Sequence, residues 1–203
     1  MDIFDRLKND HESIRTLLDI TAQTTGNSSG RRQLWARLKV LLQAHADAEE
    51  QEFYATLRKH EATKEEAEHS IEEHDAIDEL IKQLDHIGFD KPDWLNVLGR
   101  LDHMVRHHLD EEEEDLFPVA GRVISDTAAD RYAAAYKKTR DRLHAKMRED
   151  HTTTEEGVDE RSFEARYEDT LRSLAAERNI KGRADMNKSE LISALRGAPG
   201  TDA

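Results

Sequence analysis

The chain has 203 residues, 36% of them charged and 5% aromatic, with a formal net charge of −14 and no cysteine. That length holds one ordinary domain with at most a small second module, and the lack of cysteine excludes disulfides, iron–sulfur clusters and thiolate metal sites, so any metal must be held by His and carboxylate. The acidic excess falls within residues 1–159, residues 160–203 being neutral, and an acidic body argues against broad contact with nucleic acid.

Abundant Ala, Leu, Glu and Arg, with few glycines and prolines, favour helix over sheet. Helix A is expected over Asp2–Thr21, with Ile3, Phe4, Leu7, His11, Ile14, Leu17 and Leu18 on one face. Thr24–Gly30 reads as a loop. Helix B is expected over Arg31–Lys59, with Leu34, Trp35, Leu38, Leu41, Leu42, His45, Glu49, Phe53 and Leu57 inward. Thr63 and Glu66 form a capping-box pattern ahead of helix C, Lys64–Ile87, whose inward residues are Ile71, His74, Ile77, Leu80, Ile81 and Leu84. Gly88 stops that helix, and Pro92 opens helix D, Pro92–Leu116. Leu95, Leu98, Leu101, Met104, Val105, His108, Glu112 and Leu116 point inward there, and Pro118 disrupts the end. Helix E, Thr127–Arg148 after a Ser125/Asp126 cap, covers the bundle. The fold class is therefore all-α: an up-down-up-down four-helix bundle with an extra helix, occupying residues 1–148.

Residues 149–160 are polar and aperiodic and read as a linker. Residues 161–203 form a small C-terminal helical module: a helix with Tyr167, Leu171 and Leu174, a loop in which Gly182 suits a positive φ, and a helix with Leu191, Ile192 and Leu195. No run of about 18 apolar residues exists, so no membrane partner is expected. The N-terminus lacks a basic-then-apolar signal pattern, and the expected location is cytoplasmic.

Two His-x-x-x-Glu pairs stand out, His45/Glu49 and His108/Glu112. They sit where the helical period asks for apolar residues, and four residues on a helix puts both side chains on one face. The pairs lie 63 residues apart, as do His11 and His74. The same shift carries Ile14, Leu17 and Leu18 onto Ile77, Leu80 and Ile81. Helices A+B and C+D thus read as two copies of one hairpin related by a pseudo-twofold axis, which brings all six polar residues to the middle. An unpaired buried carboxylate costs several kcal/mol, and a metal ion offsets that cost.

Four His and two Glu are ligands for two ions with both carboxylates bridging, and imidazole with carboxylate suits Fe, Mn or Zn. A set in which neutral nitrogen outnumbers carboxylate neutralises less metal charge and favours the ferrous state. That suits reversible O₂ binding or peroxide handling better than hard oxidation. Glu50 and Glu113 follow the two glutamates and are candidates for bridging or supporting groups. His103, His107 and His69 lie off the inward face, and His60, His86, His144 and His151 lie at helix ends or beyond.

The stretches NDHESIRTLL, HADAEEQEFY, EEHDAIDELI and HHLDEEEEDLFP together resemble the hemerythrin-like HHE cation-binding family over about residues 1–120. The resemblance implies a non-haem di-iron centre with two Fe ions, oxo- or hydroxo- and carboxylate-bridged. It implies His11, His45, Glu49, His74, His108 and Glu112 as metal ligands, and O₂, peroxide or another small diatomic molecule as partner. Members of the wider family are linked to O₂ or iron sensing, to nitric oxide and to catalase-like peroxide removal under oxidative stress, and the motifs do not choose among these. The chain departs from the oxygen carriers at two places. Ser70 stands where they have a second helix C histidine, and the last helix spaces His108 and Glu112 by four residues rather than ending on an Asp five residues on. A missing nitrogen leaves one iron more open.

The segment LAAERNIKGRADMNKSELISALRG resembles helix–loop–helix modules of the SAP and Rho N-terminal type. That implies a nucleic acid or protein partner, with Arg178, Lys181, Arg183 and Lys188 around the loop as a basic patch.

Overall fold

The computed structural model describes residues 1–154 and 163–197, and every regular element among them is helical. Helix α1 (Ile3–Ala22) starts where the Asp2 carboxylate accepts the Asp5 N–H at 2.9 Å. Helix α2 (Ser29–Glu49) starts two residues earlier than the apolar period indicates, because the Ser28 hydroxyl accepts the Arg31 N–H at 3.1 Å. Helices α4 (Lys64–His86) and α5 (Pro92–Glu111) complete the bundle, with α1 on α2, α4 on α5, α1 on α5 and α2 on α4.

Two of these rods change pitch at the same place in the repeat. After Glu49 the chain makes a π-helical turn, Glu50–Tyr54, before α3 (Ala55–Leu57). After Glu111 it makes another, Glu112–Leu116, before α6 (Phe117–Val123). The Ala55 N–H reaches back five residues to Glu50, and that of Phe117 to Glu112. A π turn inserts a residue, and such turns concentrate at functional sites. The helix does not end at Pro118 but runs to Val123. The missing proline N–H falls where the hydrogen-bond frame is already changing, so it costs little there.

Other expectations change in detail. Leu95 is 40% exposed, and Trp94 is buried in its place beside Trp35 and Phe89. The Thr63 hydroxyl makes no capping box; it donates to the Leu57 carbonyl at 2.8 Å and closes the α3–α4 loop instead. Helix α7 (Asp126–Thr154) runs six residues into the stretch expected to be a linker, where no Gly or Pro stops it; residues 155–160 lie outside the described residues.

Helix α7 packs along α1, α2 and the first π turn. Helices α8 (Phe163–Glu177) and α9 (Lys188–Gly197) pack on each other and on α2 and α1 respectively. Gly182 between them has φ +75°. Among the described residues the buried apolar side chains form two clusters. One joins Ile14, Leu38, Leu84, Leu98 and Leu101 to Leu171 and Leu191. The other holds Ile3, Leu7, Phe53, Leu57, Leu116 and Phe117. Along α1, Leu7 belongs to one and Ile14 to the other, and His11 lies between them.

Candidate metal centre

Every one of the six residues singled out by the repeat lies in that gap. His11 comes from α1, His45 and Glu49 from α2, His74 from α4, His108 from α5, and Glu112 opens the second π turn. All six are buried, with His74 the most exposed at 7%. His11, His45, Glu49 and Glu112 form one close group and Glu49, His74 and His108 another, each with its donor atoms within 4.8 Å of one another. Glu49 belongs to both. Glu112 Oε2 also spans them, at 3.3 Å from His11 Nε2 and 3.6 Å from His108 Nε2.

Each imidazole is oriented by a hydrogen bond on its far nitrogen. The Nδ1–H of His11 donates to Glu113 at 2.7 Å, that of His74 to Glu50 at 2.9 Å and that of His108 to Glu73 at 2.9 Å. A carboxylate only accepts, so these contacts fix the Nδ1–H tautomer and leave the Nε2 lone pair facing inward. His45 is held differently. Its Nδ1–H lies 2.7 Å from the Tyr136 hydroxyl, which donates to Asp10 at 2.8 Å, and Arg140 binds the same carboxylate.

The inward atoms lack partners. His11 Nε2, His45 Nε2, both Glu49 oxygens and Glu112 Oε2 are buried without a hydrogen bond. The Nε2 atoms of His74 and His108 face each other at 3.0 Å, which two lone pairs tolerate only with a proton or a cation between them. Buried polar atoms are otherwise almost always satisfied. The donor set therefore fits metal: nitrogen and carboxylate oxygen, converging and unsatisfied.

Electrostatics agree. Burial pushes the Glu49 carboxyl well above the ordinary range, with the Glu112 charge adding to it. Burial acts on Glu112 too, but the facing His108 and His11 outweigh it and hold Glu112 well down. Burial lowers His45 strongly and His74 less, because Glu50 partly offsets it. For His11 the burial effect is outweighed by Glu112 and Glu113, and its pKa rises.

The sequence reading missed Asp10, Tyr54, Glu73, Tyr136 and Arg140. The 63-residue offset carries Asp10 onto Glu73, each just ahead of a centre histidine, and that signal was present. Tyr136 and Arg140 lie on the stripe Ala129, Ala133, Tyr136, Arg140 of α7, a polar ending on an alanine-lined face. Tyr54 donates to Glu112 Oε1 at 2.5 Å and stacks on His74. Its repeat equivalent, Phe117, stacks on His11 but carries no hydroxyl. Ser70 gives its hydroxyl to the Glu66 carbonyl at 3.0 Å. Of the tail's basic residues, Arg178 is committed to Gln23 and to the Leu195 carbonyl, and Lys188 lies over the Tyr167 ring.

Residues 2–120 match the family model described as Hemerythrin HHE cation binding domain. No curated protein and no solved structure gives a significant match to the chain.

Proposed function

The chain belongs to the hemerythrin HHE cation-binding domain family, and from that premise we propose that it is a non-haem di-iron protein that binds O₂ or reacts with peroxide inside its bundle. The carrying observation is the convergence of unsatisfied imidazole nitrogens and carboxylate oxygens from four helices. His11 and His45 would hold one ion, His74 and His108 the other, with Glu49 and Glu112 shared between them. A bound pair of ferrous ions would supply two electrons, given reversibly to O₂, or irreversibly to hydrogen peroxide, which with two protons becomes two waters while both irons become ferric.

The surrounding residues set the conditions for that chemistry. Phe53, Phe117, Leu116 and Leu7 seal one end of the centre. The burial of all six residues restricts access to molecules of a few atoms. Tyr54 is pushed well above the ordinary phenol range by burial and the Glu112 charge, so it keeps its proton and remains a hydrogen-bond donor at the centre. It stands on the His74/His108 side, where Ser70 replaces a nitrogen donor. We read that side as the place where O₂ or peroxide binds.

Anaerobic reconstitution with Fe²⁺ followed by elemental analysis tests the proposal. Two irons per chain are expected, lost in His45→Ala and His108→Ala together with peroxide consumption. Iron that both variants retain would place the metal elsewhere and overturn the reading.

A further inference from the structure

Among the described residues the His-x-x-x-Glu pattern of the buried centre occurs twice more, on the outside of the bundle. His69 and Glu73 on α4 are four residues apart, as are His107 and Glu111 on α5, and these two helices pack against each other. We propose that His69, Glu73 and Glu111 form a second, surface site for a first-row divalent cation, with His107 as an adjoining donor.

The contacts within the cluster are those of loose ion pairs rather than hydrogen bonds. His69 Nε2 lies 3.6 Å from Glu111 Oε2 and 3.9 Å from Glu73 Oε1. Both exceed a hydrogen bond, for which about 2.7–3.2 Å is normal. Two ligands at roughly 2.0–2.1 Å from a tetrahedral ion lie about 3.3–3.4 Å apart, so a small rotation of the exposed His69 ring closes the geometry. The three donor atoms already lie within 4.8 Å of one another. Glu111 Oε2 is shielded from solvent yet has no hydrogen-bond partner, and it is the oxygen aimed at His69. The other Glu111 oxygen lies 3.3 Å from His107 Nε2, likewise an ion pair without a hydrogen bond. The cluster opens onto a groove between α4 and α5 lined also by His103 and Met104. One imidazole and two carboxylates suit Zn²⁺, Fe²⁺ or Mn²⁺ rather than the harder Ca²⁺, whose sites are built from oxygen alone.

Glu73 belongs to both sites. Its Oε1 faces His69 at the surface, and its Oε2 accepts the Nδ1–H of His108 in the buried centre. Occupancy outside therefore bears on the orientation of an imidazole inside. The surface site does not depend on the reading of the buried one.

Zn²⁺ titration by calorimetry, on the full chain and two double variants, tests the assignment. The changes His69→Ala with Glu111→Gln should remove one Zn²⁺ per chain relative to the unaltered protein and leave the helical circular dichroism unchanged, since both side chains reach solvent. The changes His45→Ala with His108→Ala should leave that ion bound. His107→Ala should weaken it by a smaller factor. Equal Zn²⁺ stoichiometry in the unaltered chain and the His69/Glu111 variant would overturn the proposal, whatever the buried centre does. Should the unaltered chain bind only the ion lost in that variant, the surface site stands, and the buried centre is decided separately by its iron content.

Discussion

The hydroxyl of Tyr136 on α7 stands 2.7 Å from Nδ1 of His45 on α2. The fifth helix thus reaches into the centre of a bundle built by the other four. In the second half of the repeat Glu73 contacts His108 directly. In the first half the equivalent residue, Asp10, has a shorter side chain, and the tyrosine hydroxyl stands between it and His45.

Tyr136→Phe removes that link while keeping the ring. Groups that orient a metal-binding histidine are typically worth a factor of roughly 10–100 in metal affinity. Competition with a chromophoric chelator should show a loss of that size, with the helical content retained. Unchanged affinity would mean that His45 needs no support from α7.

Cation uptake should release protons. Glu49 is raised well above an ordinary carboxyl by burial and by Glu112, so protons compete there with an incoming ion. His11, also raised, adds a second source. Both groups bind protons more tightly in the empty folded chain, so affinity falls as pH falls. Calorimetry in two buffers of different ionisation enthalpy measures the proton count. A buffer-independent heat would contradict the assignment of Glu49.

The empty centre should destabilise the fold. Glu49→Leu replaces two unsatisfied buried oxygens with apolar surface, so its melting temperature without metal should match or exceed that of the unaltered chain. The rise in melting temperature that cation binding gives the unaltered chain should vanish in the variant. A variant that melts lower without metal would show that Glu49 is already well satisfied.

We propose that residues 161–203 form a helical unit of their own, docked on the bundle. Tyr167, Leu171, Leu174, Leu191 and Leu195 are buried in the same cluster as Leu38 and Leu98. A chain ending at Thr154 should keep its iron but melt roughly 5–10 °C lower, the shift that about 2–3 kcal/mol produces in a protein of this size. Arg178→Ala, which breaks the contacts to Gln23 and Leu195, should give part of that loss.

Much of the bundle was legible because His11, His45, Glu49, His74, His108 and Glu112 interrupt apolar stripes at one fixed offset. Less legible were the π turns. Their trace is the run His45, Glu49, Phe53, Leu57, and its counterpart His108, Glu112, Leu116, Ala120, Ile124. A spacing of four sustained that long drifts off a 3.6-residue helix, and a wider turn is what keeps those residues on one face. Tyr136 and Arg140 were not legible from the repeat, since α7 has no equivalent within it. The paired His69/Glu73 and His107/Glu111 were visible as text, but only the packing of α4 on α5 shows that they face one another.

The most direct test is the optical spectrum of the Fe²⁺-loaded protein, recorded anaerobically and again after O₂ or H₂O₂ is admitted. Two irons per chain and the charge-transfer bands of a coupled ferric pair are expected, absent in His45→Ala. A chain that takes up no iron, or one whose bands are those of a single isolated ferric ion, would contradict it.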